Sequence, residues 1–138
     1  MKKTCCYFVY CVVVVCLTSC VGAGDWVYQL PNGYEVWHVN SSEILIKYVK
    51  DENNADGIPS FVKEFSYDDR YVFSRNISDV ENNNIAEEVY YLLDTQEKTT
   101  YGPFDTLNEL LQVINEQNIE FPKKWFRTSP DPNIQSKQ

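Results

Sequence analysis

The chain predicts an α+β domain that is mainly β: an antiparallel meander of about seven strands followed by one C-terminal amphipathic helix packed on the sheet. Three observations carry this expectation. Short apolar–polar alternations recur between clusters of Asn, Asp, Gly and Pro, the pattern of half-buried strands joined by turns. Leu107, Leu110, Leu111 and Ile114 instead fall at i, i+3, i+4 and i+7, which places them on one face of a helix. An aromatic content of 14%, within a hydrophobic fraction of 43%, supplies a core and argues against disorder.

Taken in order, residues 26–30 predict a strand, and Pro31-Asn32-Gly33 a turn, because Asn-Gly accepts positive φ at low steric cost. Residues 34–39 form the return strand, with Tyr34, Val36 and His38 alternating against Glu35, Trp37 and Val39. Residues 43–49 predict a third strand presenting Ile44, Ile46 and Tyr48 on one face. Residues 50–58 are polar and turn-rich, an expected exposed loop. Residues 61–67 alternate as Phe61, Lys63, Phe65 and Tyr67, and Asp68-Asp69-Arg70 turns them into a strand over 71–75. A second loop, with Asn82, Asn83 and Asn84, covers 78–86. A hairpin follows, with strands over 88–94 and 99–101 and a loop at 95–98. The run from Phe65 to Phe73, followed by Tyr91-Leu92-Leu93-Asp94, has the pattern of a β-propeller blade. One chain of this length cannot close a propeller, so a lone meander is expected.

Gly102-Pro103 is expected to break the last strand, since proline has no N–H for a sheet ladder. Thr106 then offers an N-cap, with Glu109 three residues on completing a capping box. The helix is expected to run to about Gln117 and to stop at Asn118. Phe121 and Trp125 pin the next segment to the body, and residues 128–138, rich in Pro and polar side chains, read as a flexible tail. The globular domain is thus expected over 25–127.

The N-terminus has a different logic. Lys2 and Lys3 precede an uncharged stretch over residues 5–19 centred on Val12-Val13-Val14-Val15, the tripartite pattern of a secretory signal peptide. That stretch is short of the ~20 apolar residues a membrane-spanning helix needs, although an uncleaved helix continuing to Gly24 is the alternative. Leu17-Thr18-Ser19-Cys20 resembles the lipobox of bacterial lipoproteins. The resemblance implies a diacylglyceryl group on the Cys20 sulfur, cleavage before Cys20 and often acylation of the freed amine. Residues 1–19 are then a signal peptide and 20–24 a lipidated tether. Two or more acyl chains, at ~0.8 kcal/mol per buried methylene, hold a protein stably where a single chain does not. Under either reading the lysines stay cytoplasmic and the domain lies outside, on the extracytoplasmic side of the cell membrane.

All five cysteines lie within the first twenty residues, so Cys5, Cys6, Cys11 and Cys16 leave with the signal and the domain has no internal disulfide. Removing Lys2 and Lys3 takes the formal charge from −8 to −10. Such acidity excludes a nucleic-acid footprint and disfavours a basic membrane-binding surface; it points, if anywhere, to a basic partner.

Further along, Gly24-Asp25-Trp26, Leu30-Pro31-Asn32-Gly33-Tyr34-Glu35-Val36-Trp37, and Tyr91-Leu92-Leu93-Asp94 with Tyr101-Gly102-Pro103-Phe104 resemble a family of small, uncharacterised bacterial lipoproteins carrying a domain of unknown function. The resemblance spans most of residues 20–125. It implies a bacterial source and agrees with the lipobox, and it carries over no activity and no catalytic residue.

Candidate chemistry is sparse. His38 is the single histidine, no Gly-x-Ser-x-Gly elbow is present, and a mid-strand histidine reads as a packing or surface residue. One histidine and no free thiol cannot build a typical zinc site. The segment from Asp51 to Gly57 has a superficial likeness to an EF-hand loop, but Ala55 stands at its fifth position and Val62 at its twelfth. Asp68-Asp69 and Glu87-Glu88 are neighbours on turns or strands, which makes them poor acid–base pairs. Asn40-Ser41-Ser42 and Asn76-Ile77-Ser78 match the glycosylation sequon, a coincidence in a bacterial lipoprotein. No catalytic residue, metal or cofactor is therefore expected.

The remaining constellation is aromatic. Trp26, Tyr28, Tyr34 and Trp37 on the first hairpin are core if buried, or candidate partner-binding residues if exposed. The expected function is a membrane-anchored, non-enzymatic binding or accessory protein with a protein or peptide partner. The alternatives are a cell-envelope enzyme using carboxylates and a structural surface lipoprotein with no dedicated ligand.

Overall fold

Alternating apolar residues build the first sheet. Strands β1 (Trp26–Gln29), β2 (Tyr34–His38) and β3 (Ile44–Tyr48) pair antiparallel in the order β1-β2-β3. Pro31–Gly33 makes the first turn, with Asn32 at φ 58° and Gly33 at φ 83°, the left-handed region that Asn and Gly tolerate best. The computed structural model describes residues 25–40, 43–50, 56–78 and 87–129. The expected signal peptide and tether with Cys20, most of the two predicted loops and residues 130–138 lie outside them.

A second sheet contains β4 (Val62–Tyr67), β5 (Tyr71–Ser78), β6 (Glu87–Asp94), β7 (Thr99–Phe104) and β8 (Phe126–Arg127), in the order β7-β6-β5-β4-β8. The expected mainly-β fold with one helix is therefore what forms. Its strands divide into sheets of three and five, eight in all among the described residues, where a single meander of about seven was expected. The division follows from the segment between β3 and β4: Ile58 makes one antiparallel bridge to Ile46 and then leads into the other sheet.

The five-stranded sheet is buried on both faces. Val72 and Leu93, paired in register, join Val62, Phe65 and Phe126 against Tyr28, Tyr34, Val36, Ile44 and Ile46 of the first sheet. Phe73 and Leu92, the adjacent pair, point the other way to Leu110, Ile114 and Ile119. Consecutive residues of one strand thus serve two cores, which explains the unbroken apolar runs over 71–73 in β5 and 89–93 in β6. Three layers result: sheet, sheet and helix.

The helix α1 (Leu107–Glu116) starts as its capping box requires. Thr106 accepts from the Glu109 N–H, and Glu109 reaches back to the Asp105 N–H. It ends in a Schellman motif: Asn118 sits at φ 52°, the Ile119 N–H bonds the Ile114 carbonyl at 2.9 Å, and the Asn118 N–H bonds that of Asn115 at 3.2 Å. Leu110 and Ile114 are buried as expected, whereas Leu107, in the first turn, is 39% exposed. No helix among the described residues is long and apolar enough to cross a membrane.

Three expectations are corrected. Gly102-Pro103, joined by a cis peptide, does not end β7; the strand continues to Phe104 through a bulge opposite Tyr91. This is possible because β7 is an edge strand, where a missing N–H breaks no interior ladder. The alternation expected from Phe61 through Tyr67 fails as well. Lys63 is an extra residue between the pairs Val62↔Asn76 and Glu64↔Arg75, so Val62 and Phe65 share the core face. Thr128, placed in the tail, is buried, and its N–H bonds the Lys63 carbonyl at 3.0 Å. Phe121 and Trp125 do pin the post-helix segment, with Phe121 lying edge-on to Phe73 at 6.2 Å between centroids.

Candidate functional site

The first sheet sorts the four aromatic candidates by pleat. Tyr28 and Tyr34 point inward and are core. The Tyr28 ring packs edge-on to Phe65 at 5.3 Å, and its hydroxyl lies 2.9 Å from that of Tyr67. Burial, and then the Tyr67 hydroxyl, push the Tyr28 phenol well above its ordinary range, so it stays neutral. Tyr34 lies 5.3 Å from Tyr48 between ring centroids. Trp26, half-buried at the start of β1, stacks on His38 at 5.1 Å with 17° between planes.

Trp37 faces the other way. Register places it between Val27 of β1 and Leu45 of β3, a row of three apolar side chains running across the outer face. Val27 is 40% exposed, and Val39, just past the end of β2, is 43% exposed. The next row is polar: Gln29, Glu35 and Lys47. Those polar neighbours orient the indole. Its Nε1–H donates to Glu35 at 2.6 Å, and the Lys47 ammonium sits 3.4 Å from the ring centroid. Of the four candidates, Trp37 alone therefore presents a fixed aromatic surface on the outside, while the structure brings Trp26, Tyr28 and Tyr34 together on the inside.

A second feature was invisible in the sequence. Where the sheets meet beside β8, a cavity of about 490 Å³ is lined by His38, Ile44, Lys63, Glu64, Arg75 and Arg127, with Thr128 and Ser129 at one rim. Glu64 bonds the Arg75 Nε at 3.1 Å and lies 3.4 Å from the Arg127 Nε. Arg75 also pairs with Glu88. Burial opposes the charge on Arg75, but Glu64 and Glu88 more than offset it, so its pKa is raised and it is a permanent cation. These residues are scattered over five strands, and only the odd spacing of Val62 and Phe65 betrays the bulge that gathers them. Two further cavities, of about 410 and 390 Å³, lie beside Phe121 and beside Phe61.

Other sequence candidates resolve simply. Asn76, in the second sequon, is buried and bonds the carbonyls of Pro59 and Ser60, so it is a structural residue. Val62, at the twelfth position of the EF-hand-like run, is in the core, and residues 51–55 lie outside the described residues. Among the described residues no group of three or more His, Cys, Asp or Glu side chains is placed to hold a metal ion.

Fold and surface together define a small, three-layer, mainly-β domain with an apolar row on its outer face and a basic cavity. The chain belongs to the family described as a protein of unknown function, DUF3997, whose model matches residues 31–123. That span runs from the first turn through the helix and leaves out β1 and β8. No curated protein and no solved structure matches the chain.

Proposed function

We propose that the protein is a lipid-anchored, non-enzymatic binding protein, held through Cys20 on the extracytoplasmic side of a bacterial membrane. It engages a basic protein or peptide through the outer face of its first sheet. The observation that carries the binding reading is the registered row of Val27, Trp37 and Leu45 on the outer face, with Val27 exposed, Trp37 and Leu45 half-buried, and the tryptophan locked by Glu35 and Lys47. A rigid tryptophan within an apolar strip and a polar rim has the make-up of an interaction hot spot. Asp25, Glu35 and Glu43 border the strip, and the only lysine in the registered rows, Lys47, is engaged by the indole, so the rim favours a cationic partner. The lipobox and short apolar leader support the anchor. The packing of the single histidine against Trp26 supports binding over acid–base chemistry.

Photo-crosslinking residues placed at 27, 37 and 45 in the membrane-held protein test the reading. Capture of a basic partner from these positions, and not from exposed position 112 on the helix, is expected. Equal labelling from all four positions would contradict it.

A further inference from the structure

We propose that the cavity between the ends of the two sheets binds a phosphate group. The chain carries a formal charge of −8, yet the cavity wall holds three cations, Lys63, Arg75 and Arg127, against one lining carboxylate, Glu64, with Glu88 paired to Arg75 from outside the wall. Glu64 is divided between the two arginines, so it does not neutralise Lys63, which makes no ion pair among the described residues. Arg75 is taken up by Glu64 and Glu88, so the Lys63 ammonium, with the Arg127 guanidinium on the same wall, is the group suited to hold a tetrahedral oxyanion.

The site is built into the backbone. In an unbulged strand Lys63 and Glu64 would point to opposite faces; the extra residue turns both toward the cavity. Thr128 clamps that bulge, its hydroxyl donating at 3.0 Å to the carbonyls of Val62 and Lys63 and its N–H bonding Lys63 again. His38 closes the wall on the side of the first sheet. His38 Nδ1 is buried with no hydrogen-bond partner among the described residues, while Trp26 fixes its ring.

The phosphate has two sources of the same chemistry: a soluble phosphate and a phospholipid headgroup. His38 stacks on Trp26, six residues after Cys20, and six extended residues span about 20 Å, so a lipid on Cys20 would bring the cavity near headgroups. The site itself does not depend on that lipid.

The test is calorimetric titration of the full chain in nonionic detergent with inorganic phosphate and with short-chain phosphatidylglycerol, using short-chain phosphatidylcholine to separate headgroup type. Saturable binding that weakens at least about tenfold in Lys63→Met and recovers in Lys63→Arg is expected. Should Lys63→Met not fold, Arg127→Gln reports on the same site, since that side chain is 75% exposed. Tighter binding of a phospholipid than of inorganic phosphate assigns the headgroup, and the reverse assigns a soluble phosphate. Failure of every probe to saturate, or equal binding by wild type and both charge-removing variants, overturns the proposal.

Discussion

Asp94, 3% exposed at the end of β6, shows how much a single carboxylate can organise. It accepts from Arg70 through Nε and Nη2, the latter at 2.6 Å, and from the N–H groups of Gln96 and Glu97 at 3.0 and 3.1 Å. The Arg70 carbonyl in turn receives Thr95, and Asn32 in the first turn donates to the Thr95 hydroxyl at 2.7 Å. Three turns are joined across both sheets. Burial works against the Asp94 charge, but Arg70 and the two backbone donors outweigh it, so the carboxyl titrates below its ordinary value. A carboxylate depressed in the folded state adds stability above the unfolded value, ~3.9, and loses it as pH falls through the folded one. Asp94→Asn should therefore cost most at neutral pH, and its deficit against wild type should shrink in urea unfolding at pH 3. A deficit of equal size at both pH values would contradict this account. Asp94→Ala, which also strands the two turn N–H groups, should cost about 1.5–3 kcal/mol at pH 7.

At the scale of elements, the strands and helix were legible because period and capping agree: β1 to β3, the β6–β7 hairpin and α1 sit where alternation, Asn-Gly, Thr106–Glu109 and Asn118 place them. The failures fall at bulges. An inserted residue shifts the period by one without any change in composition, so Lys63 and Gly102-Pro103 read as alternation and strand end. Gly102 is required where it stands, at φ 118°, because an added Cβ would lie 2.7 Å from the Tyr90 carbonyl oxygen. Gly102→Ala should lower stability by at least about 1–3 kcal/mol by thermal or urea unfolding. A neutral substitution would place the bulge elsewhere. The helix gives a paired comparison. Leu110→Ala, which empties a fully buried site facing Phe73 and Leu92, should cost about 2–5 kcal/mol, while Leu107→Ala at an exposed site should cost well under about 1 kcal/mol. Similar losses for the two would mean that the helix packs on a different face.

For the molecule as a whole, the surface was less legible in the sequence than the elements were. Which hairpin aromatics face out depends on strand register and on a second sheet that covers the inner face, and neither follows from local pattern. The basic cavity depends on residues as distant as His38 and Arg127, so net charge alone points away from it. The account that joins these parts is a domain tethered by lipid just before β1, offering Trp37 to a partner. Cys20→Ser should release the protein from the membrane fraction without altering the unfolding transition of the domain, since no cysteine follows residue 20. The most direct measurement is the mass of the N-terminal peptide recovered from membranes. A peptide beginning at Cys20 and carrying a diacylglyceryl thioether is predicted; one retaining residues 1–19 with an unmodified Cys20 would contradict the anchor.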